Sequence, residues 1–579
     1  MTYDLVIRGG TVVDGTGDAP RSADVAVNDG VIVEVGAVEG EAKATIDATG
    51  LIVTPGWVDI HTHYDGQCTW DPILVPSCWH GVTTAIMGNC GVGFAPVKTG
   101  DRMRLIELME GVEDIPGTAL HEGIEWAWET FPEYLDALDK MPRSMDIGAH
   151  VPHGPVRTYV MGERGAMNEP ASPEDIASMK AIVTEAIQAG ALGFSTSRTI
   201  MHRAVDGEPV PGTFAAQDEL LGLAEGLADA DAGVFELAPA GVMGEDMAAV
   251  DAEVEWMRKI SATTKRPVTF VMVQHQEDPD QFEALMKAAD DAVAEGANLY
   301  PQVGSRPLML LIGHQTFHPF KFKPTYAKLK ESLPWDDFIA ELKKPEVKAA
   351  ILEEEPEDED PLMAFVFQGT ERIFVLGNPP VYEPEESQSV RAIAEGEGRD
   401  DEDVLYDLML LNNGKEFLMA AVLNFGDFSL DGVAKMLSHP RSIFGLGDGG
   451  AHCSAICDAT MNTFLLTHWA RDRKKGTRFS VEEVIKKLTH DNAELYGLRD
   501  RGVVAPGYRA DLNVIDFDGL QLHPPQIAFD LPGGAQRFIQ RADGYRYTIV
   551  RGEVVQKDGE DTGARPGRLI RGAQPAPSL

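Results

Sequence analysis

Four residues of types that commonly bind divalent metal ions each follow an apolar run. His61 and His63 come after LIVTPGWVDI and are separated by one residue, so on an extended strand both imidazoles project to the same side. Cys90 follows TTAIMGN, and Asp448 follows SIFGLG. Imidazole, thiolate and carboxylate groups are good zinc ligands. A carboxylate beside a metal-activated water can also transfer a proton, so these residues together predict metal-dependent hydrolysis.

Each of these residues also has an ordinary structural interpretation. A lone histidine pair can cap a strand or lie at the surface, and the DGG that begins at Asp448 is typical of a turn. The metal hypothesis therefore depends on a fold that brings the four residues to one place.

The segments that carry them alternate with segments of helical periodicity. About eight short apolar runs between residues 57 and 497 are typical of buried strands. The helix predicted in PASPEDIASMKAIVTEAIQAG begins with a capping box of Ser172 and Asp175. Eight such units predict a (β/α)8 barrel, whose active site lies at the C-terminal strand ends. Polar residues at these ends are His61 and His63, Cys90, His150 and His153, Arg198, Glu236, Gln274 and His275, Tyr300 and Ser305, and Asp448.

The two chain ends follow a different pattern. Residues 1–56 and 498–579 contain short β-branched runs that end in Gly or Asp-Gly, and we expect them to form one small β-sandwich beside the barrel. An insertion at about 308–440 separates the seventh and eighth strands, and it fits either a lid or a subunit contact. Its acidic run, Glu353–Pro361, is typical of a solvated loop.

Composition limits the classes of partner. The 579 residues are 44% hydrophobic and 25% charged, which is typical of a globular protein, and the formal net charge of −42 disfavours nucleic acid and anionic membranes. The five cysteines do not suggest a disulfide scaffold, and neither a secretory signal nor a membrane-spanning run is apparent. We expect a cytoplasmic homo-oligomer that acts on a small molecule.

The chain resembles the amidohydrolase superfamily and, within it, the D-aminoacylase-like branch of N-acyl-D-amino-acid deacylases. The stretches that carry the resemblance are DLVIRGGTVVDGTG, TPGWVDIHTHYD, GVTTAIMGNCGVGFAP, HGPVRTYVMG, GALGFSTS, GLGDGGAH and VVAPGYRADLNVIDFD. It implies a barrel with a terminal β-sandwich, and zinc-dependent hydrolysis of the amide of N-acyl-D-amino acids. It also implies that His61, His63, Cys90 and Asp448 bind metal, with Asp448 as the catalytic residue.

The sequence departs from this branch at strands five and six, where the branch has one histidine each. Strand five reads GVFELAP and offers Glu236, either as a substitute zinc ligand or as a buried carboxylate paired with an arginine. Strand six reads PVTFVMVQHQ and offers Met272 or Gln274, with His275 displaced.

The resemblance also implies a substrate that ends in a carboxylate, and therefore a cationic anchor. Arg198 in STSRTIMHR is the first candidate, with Arg306 and Arg157 as rivals. The remaining predicted substrate-binding residues are Tyr300, Ser305, His153 and His275. The tyrosine that the branch has after strand four is missing, so substrate preference is expected to differ.

The sequence thus predicts a hydrolase of amide C–N bonds that uses zinc or another divalent metal, in one or two copies. A cyclic amide or imide, a lactone or an ester is an alternative substrate on the same scaffold. A catalytically inactive barrel that serves as a binding or assembly subunit is a third interpretation.

Overall fold

A ring of eight parallel strands forms the centre of the computed structural model, which describes residues 2–246, 249–358 and 369–577. The strands are β1 (Trp57–Asp59), β2 (Val82–Met87), β3 (Asp146–Pro152), β4 (Gly193–Ser197), β5 (Val234–Ala238), β6 (Val268–Val271), β7 (Leu299–Val303) and β8 (Ile443–Phe444). Each strand pairs with the next in sequence order. Residues beyond β8 close the ring, because Thr62 pairs in parallel with Gly449. The predicted barrel is confirmed.

Helices separate the strands along the chain. Those between β2 and β7 are α1 (Arg102–Glu113), α2 (Gly117–Gly123), α3 (Phe131–Asp139), α4 (His153–Met161), α5 (Glu163–Ala166), α6 (Pro173–Ala189), α7 (Gln217–Asp229), α8 (Val250–Thr264) and α9 (Gln281–Ala294). The predicted capping box is confirmed at α6: Ser172 Oγ accepts from the Asp175 N–H, and the Asp175 carboxylate accepts from the Ser172 N–H. After β8, helical segments cover Met461–Phe464, Leu465–Asp472, Val481–Lys486, Lys487–Asp491 and Asn492–Leu495.

The two ends of the chain meet as predicted, and where a small β-sandwich was expected their strands form one nine-stranded sheet. Its strands are Thr2–Val12, Arg21–Asn28, Val31–Gly36, Glu41–Asp47, Ile52–Pro55, Leu512–Ile515, Tyr545–Val550, Glu553–Lys557 and Glu560–Asp561. The N-terminal and C-terminal strands join where Ile52–Pro55 pairs antiparallel with Leu512–Ile515. Apolar residues at alternate positions, such as Leu5 and Ile7 or Leu512 and Val514, are buried in its core.

The insertion between β7 and β8 has a hydrophobic core of its own. It contains a three-stranded antiparallel sheet of Leu308–Ile312, Leu418–Leu423 and Ile373–Val375. Its described helices include Pro324–Ser332, Trp335–Leu342, Pro345–Glu353, Val390–Glu397, Asp401–Met409 and Asp431–Ser438. Phe320, Phe338 and Leu405 are among the residues that fill the space between these elements. The acidic run Glu353–Pro361 ends outside the described residues.

The insertion is fastened to the mouth of the barrel just beyond β6. The Gln274 N–H donates to Asn424 Oδ1 at 2.7 Å, and the Asn424 N–H donates to the Gln274 carbonyl at 2.9 Å.

The division of the chain at residues 56 and 497 stays a prediction. The role of the insertion, as a lid or as a subunit contact, also stays a prediction. Among the helices that the structure describes, none is long and apolar enough to cross a bilayer.

Candidate metal centre

His61 and His63 lie side by side inside the barrel mouth, and both are buried. Their ring centroids are 5.4 Å apart. Gln302 of β7 pairs its Oε1 with His61 Nδ1 at 2.9 Å, so Nδ1 donates the hydrogen and Nε2 keeps a lone pair. Cys90 Sγ and Asp448 Oδ1 each lie 3.4 Å from this Nε2 atom. A partner such as Gln302 fixes the tautomer and orientation that a metal-binding histidine needs.

Cys90 and Asp448 are held in left-handed backbone turns. Their φ angles are 55° and 41°, values that are uncommon for residues other than glycine. At Cys90 the N–H donates to Glu236 Oε2 at 3.0 Å while the thiol faces His61. At Asp448 the N–H donates to the His61 carbonyl at 2.9 Å while the carboxylate faces both histidines. Residues in such turns cluster at functional sites.

The donor atoms have separations that suit a tetrahedral metal ion. His61 Nε2 is 3.4 Å from both Cys90 Sγ and Asp448 Oδ1, and His63 Nε2 is 3.6 Å from Asp448 Oδ1. Tetrahedral ligands at bond lengths of about 2.0–2.3 Å are separated by about 3.3–3.6 Å. The ligand atoms of His61, His63 and Cys90 also lie within 4.8 Å of one another. The residues therefore fit a divalent metal.

Glu236 has one carboxylate oxygen that lies near His61 without a hydrogen-bond partner. Its Oε1 is buried and unpaired, 3.8 Å from His61 Nδ1. Among the described residues no arginine or lysine forms an ion pair with it, so the alternative of a buried Glu–Arg pair lacks a partner. Burial raises the pKa of Glu236 to about 8, although the Cys90 N–H partly offsets the shift. A cation in the site would favour the ionised form instead.

The other ionisable groups of the site also respond to burial. Burial raises the pKa of the Cys90 thiol well above 9.0, and the nearby Glu236 and Glu113 add to the increase. Burial lowers the pKa of His63 to about 4, so its imidazole is neutral and available as a ligand. Burial would raise the pKa of Asp448, but His61 and His63 hold it below 3.8.

One carboxylate, Glu113, and one imidazole, His202, lie near the centre and were not predicted from the sequence. Glu113, the last residue of α1, places Oε2 at 3.3 Å from His63 Nε2. His202 pairs its Nδ1 with Ser197 Oγ at 3.0 Å, and its pKa is lowered to about 3 by burial and then by His452 and His63. A signal for Glu113 was present in the sequence: it is an acidic residue at the C-terminus of a helix, where the helix dipole favours a positively charged side chain.

A second group of possible ligands contains Asp448, which also lies beside His61 and His63 of the first group. Ligand atoms of Asp448, His452 and Asp458 lie within 4.8 Å of one another. Asp458, however, already pairs with the Arg306 guanidinium at 2.9 Å. This group is therefore less available to a metal than the first.

The three candidate arginine anchors are all committed to protein partners. Arg198 donates to the carbonyls of Thr213 and Ala215 at 2.8 and 2.7 Å. Arg306 is fully buried and pairs with Asp458, and Arg157 pairs with Glu219 at 2.8 Å.

Two other residues that were predicted to bind substrate, His153 and Ser305, are likewise hydrogen-bonded to protein groups. His153 bonds to Thr196 Oγ1 at 2.9 Å and to Glu219 at 3.0 Å. Ser305 donates to the Met461 carbonyl at 2.9 Å. Tyr300 lies near the start of β7 and packs against an apolar cluster that includes Leu192, Val234 and Ile443. Gln302, two residues further along β7, reaches His61 instead.

Strand β6 and the residues just after it bring no side chain into the group formed by His61, His63 and Cys90, the His61–Cys90 group. Met272 is buried in the apolar core, and Gln274 accepts from the Gly426 N–H at 3.0 Å. His275 lines a separate small cavity with Val242 and Met257. The substrate-binding roles predicted for Arg198, Tyr300, Ser305, His153 and His275 stay predictions.

Residues 44–556 match the amidohydrolase family, and the chain belongs to that family. It is accordingly classed with hydrolases that act on carbon–nitrogen bonds other than peptide bonds. The D-aminoacylase of Alcaligenes xylosoxydans xylosoxydans is 25% identical over 98% of this chain and 97% of its own length. The N-acyl-D-aspartate deacylase of the same organism is 26% identical over 98% and 95%. The structure of the Bordetella bronchiseptica N-acyl-D-glutamate deacylase, complexed with zinc and a phosphonate inhibitor, is similar in fold, with a TM-score of 0.63, 21% identity, and coverage of 99% of this chain and 100% of that chain.

Proposed function

We propose that this protein hydrolyses the amide bond of an N-acyl-D-amino acid or a related N-acyl compound, using zinc or another divalent metal. The observation that carries the proposal is that His61, His63 and Cys90 place ligand atoms within 4.8 Å of one another inside the barrel mouth, with Asp448 Oδ1 3.4 Å from His61 and 3.6 Å from His63. The named activities of the D-aminoacylase and N-acyl-D-aspartate deacylase relatives support the choice of bond and substrate. The zinc complex of the N-acyl-D-glutamate deacylase supports the choice of metal.

The bound metal would supply Lewis-acid activation of water and of the amide carbonyl. The chain's own residues then handle the proton. The carboxylate of Asp448 is ionised at neutral pH because the surrounding imidazoles hold its pKa low, so it can accept a proton from water. The same oxygen can return that proton to the amide nitrogen as the C–N bond breaks. Gln302 holds His61 in position throughout.

Burial of the site strengthens these interactions. His61, His63 and Cys90 are each exposed by 5% or less, so bulk water would only weakly screen the interactions of these side chains with a bound cation. Glu236 is assigned to this metal-binding group as well, because its Oε1 is buried without a partner.

A second candidate is a substrate that carries no carboxylate, such as a cyclic amide or imide, a lactone or an ester. The observation that favours it is the engagement of Arg198, Arg306 and Arg157 by protein groups. Such a substrate needs no free guanidinium in the site. The third interpretation, an inactive assembly subunit, is disfavoured by the intact Asp448. A cytoplasmic location and a homo-oligomeric state stay predictions.

A matched substrate panel separates these functions. The zinc-loaded protein is assayed with N-acetyl-D-amino acids, their L-enantiomers, the corresponding carboxamides, and cyclic imides and lactones. The proposal expects the highest kcat/KM for a D-enantiomer with a free carboxylate. Faster hydrolysis of the carboxamide or of a cyclic substrate would favour the second candidate. Failure on every substrate, together with less than about one metal per chain, would favour the assembly subunit.

A further inference from the structure

Glu113 places a buried carboxylate against His63. Its exposure is 2%, its Oε2 is 3.3 Å from His63 Nε2, and its Oε1 has no hydrogen-bond partner. His63 Nδ1 is also buried without a partner. In the described part of the chain, His63 is the ion-pair partner of Glu113, and no arginine or lysine lies within ion-pair distance.

The backbone around Glu113 is fixed to the segment that follows Asp448. The Glu113 carbonyl accepts from the His452 N–H at 2.5 Å. The next residue, Asp114, ends α1 in a left-handed turn with φ 52° and accepts from the Ser454 N–H and hydroxyl at 2.6–2.7 Å. These bonds join the end of α1 to the loop after β8. Glu113 therefore approaches the centre in a defined orientation and not as a mobile side chain.

This position is electrostatically unfavourable for a carboxylate. It lies at the C-terminus of a helix, where the helix dipole repels negative charge. Asp448, Asp65 and Glu236 lie close enough to add further repulsion. A buried carboxylate without a cationic partner is destabilised in its ionised form. A metal ion beside His63 would remove this cost.

We propose that Glu113 is a carboxylate ligand of the metal centre. Its 3.3 Å separation from His63 Nε2 equals that of two ligands on one tetrahedral ion. The inference rests on the metal centre of the proposed function.

The test compares Co²⁺ binding by the wild type, E113Q, E113D and the control E107Q. Glu107 lies on the same helix but is exposed. Metal-free proteins are titrated with Co²⁺ in competition with a chelator, and the thiolate-to-cobalt absorption reports on Cys90. We expect E113Q to bind Co²⁺ at least about tenfold more weakly, with the thiolate band kept at saturation. E113D should be intermediate, and E107Q should match the wild type.

Thermal unfolding of the metal-free proteins separates ligation from a structural role. Glutamine has nearly the same shape and no charge to bury, so metal-free E113Q should unfold at a temperature no lower than the wild type. Affinity within twofold of the wild type, or a loss of affinity with a lower unfolding temperature of metal-free E113Q, would overturn the proposal. A wild type that binds no Co²⁺ would overturn the metal centre itself. Normal wild-type binding with normal E113Q binding would overturn the role of Glu113 alone.

Discussion

Asp448 and His61 are joined twice. The Asp448 N–H donates to the His61 carbonyl at 2.9 Å, and Asp448 Oδ1 lies 3.4 Å from His61 Nε2. The first contact continues the pairing that closes the ring between β8 and β1, and the second places the carboxylate beside the imidazole. The backbone bonds that close the barrel therefore also bring these two candidate ligands together.

Replacement of Asp448 by asparagine should remove the proton carrier while keeping the size of the side chain. We expect D448N to lose a factor of about 10²–10⁴ in kcat, the range for general acid–base groups, and to retain bound metal. The measurement is kcat together with elemental analysis of the purified variant. Near-normal turnover in D448N would remove Asp448 from the proton-transfer role.

Replacement of Cys90 tests the sulfur ligand. C90S should lose the thiolate-to-cobalt absorption and bind metal more weakly, because a hydroxyl is a poorer ligand than a thiolate. C453S is the matched control, since Cys453 is also free and buried but lies outside the His61–Cys90 group. An unchanged absorption band in C90S would show that the sulfur ligand is a different residue.

Gln302 should act through His61 without contacting the metal itself. Q302L removes the acceptor of His61 Nδ1 and is expected to weaken metal affinity about 10- to 100-fold, the usual effect of losing such a partner. Isothermal titration with Zn²⁺ measures the change. Metal affinity equal to that of the wild type would indicate that His61 is positioned by packing alone.

Glu219 should make stability depend on pH in the acid range. Burial would raise its pKa, but His153 and Arg157 lower it from 4.5 to about 2. A lowered pKa in the folded protein means that stabilisation is full above pH 4.5 and is lost as the pH falls toward 2. The contribution is about 3 kcal/mol at neutral pH.

Unfolding of the wild type and E219Q between pH 7 and pH 2 measures this contribution. The difference in free energy of unfolding between the two proteins should shrink as the pH falls through this window. Parallel stability curves would contradict the assignment of the shift to Glu219.

The sequence predicted the four central residues because each follows a strand end. Barrel topology converts that local position into proximity, so His61, His63, Cys90 and Asp448 meet although they are distant along the chain. The terminal sheet was predictable for a similar reason, since β-branched alternation and Gly turns appear at both ends. These features depend on local pattern and a common topology.

Other parts of the site could not be predicted, because they depend on how far along a strand a residue lies and on contacts with distant segments of the chain. Tyr300 and Gln302 lie on the same face of β7, and alternation does not say which one reaches the mouth. Arg198 was predicted as an anchor from its strand end, but Thr213 and Ala215 take up its donors. Glu113 lies at the site where the end of α1 is bonded to His452 and Ser454, contacts that no local pattern encodes.

Anomalous diffraction from crystals of the zinc-reconstituted protein would locate the metal ion. We predict a zinc peak within about 2.0–2.3 Å of donor atoms from His61, His63, Cys90 and Asp448. The absence of a peak at this position, or a zinc ion held by other residues, would contradict the metal centre described above.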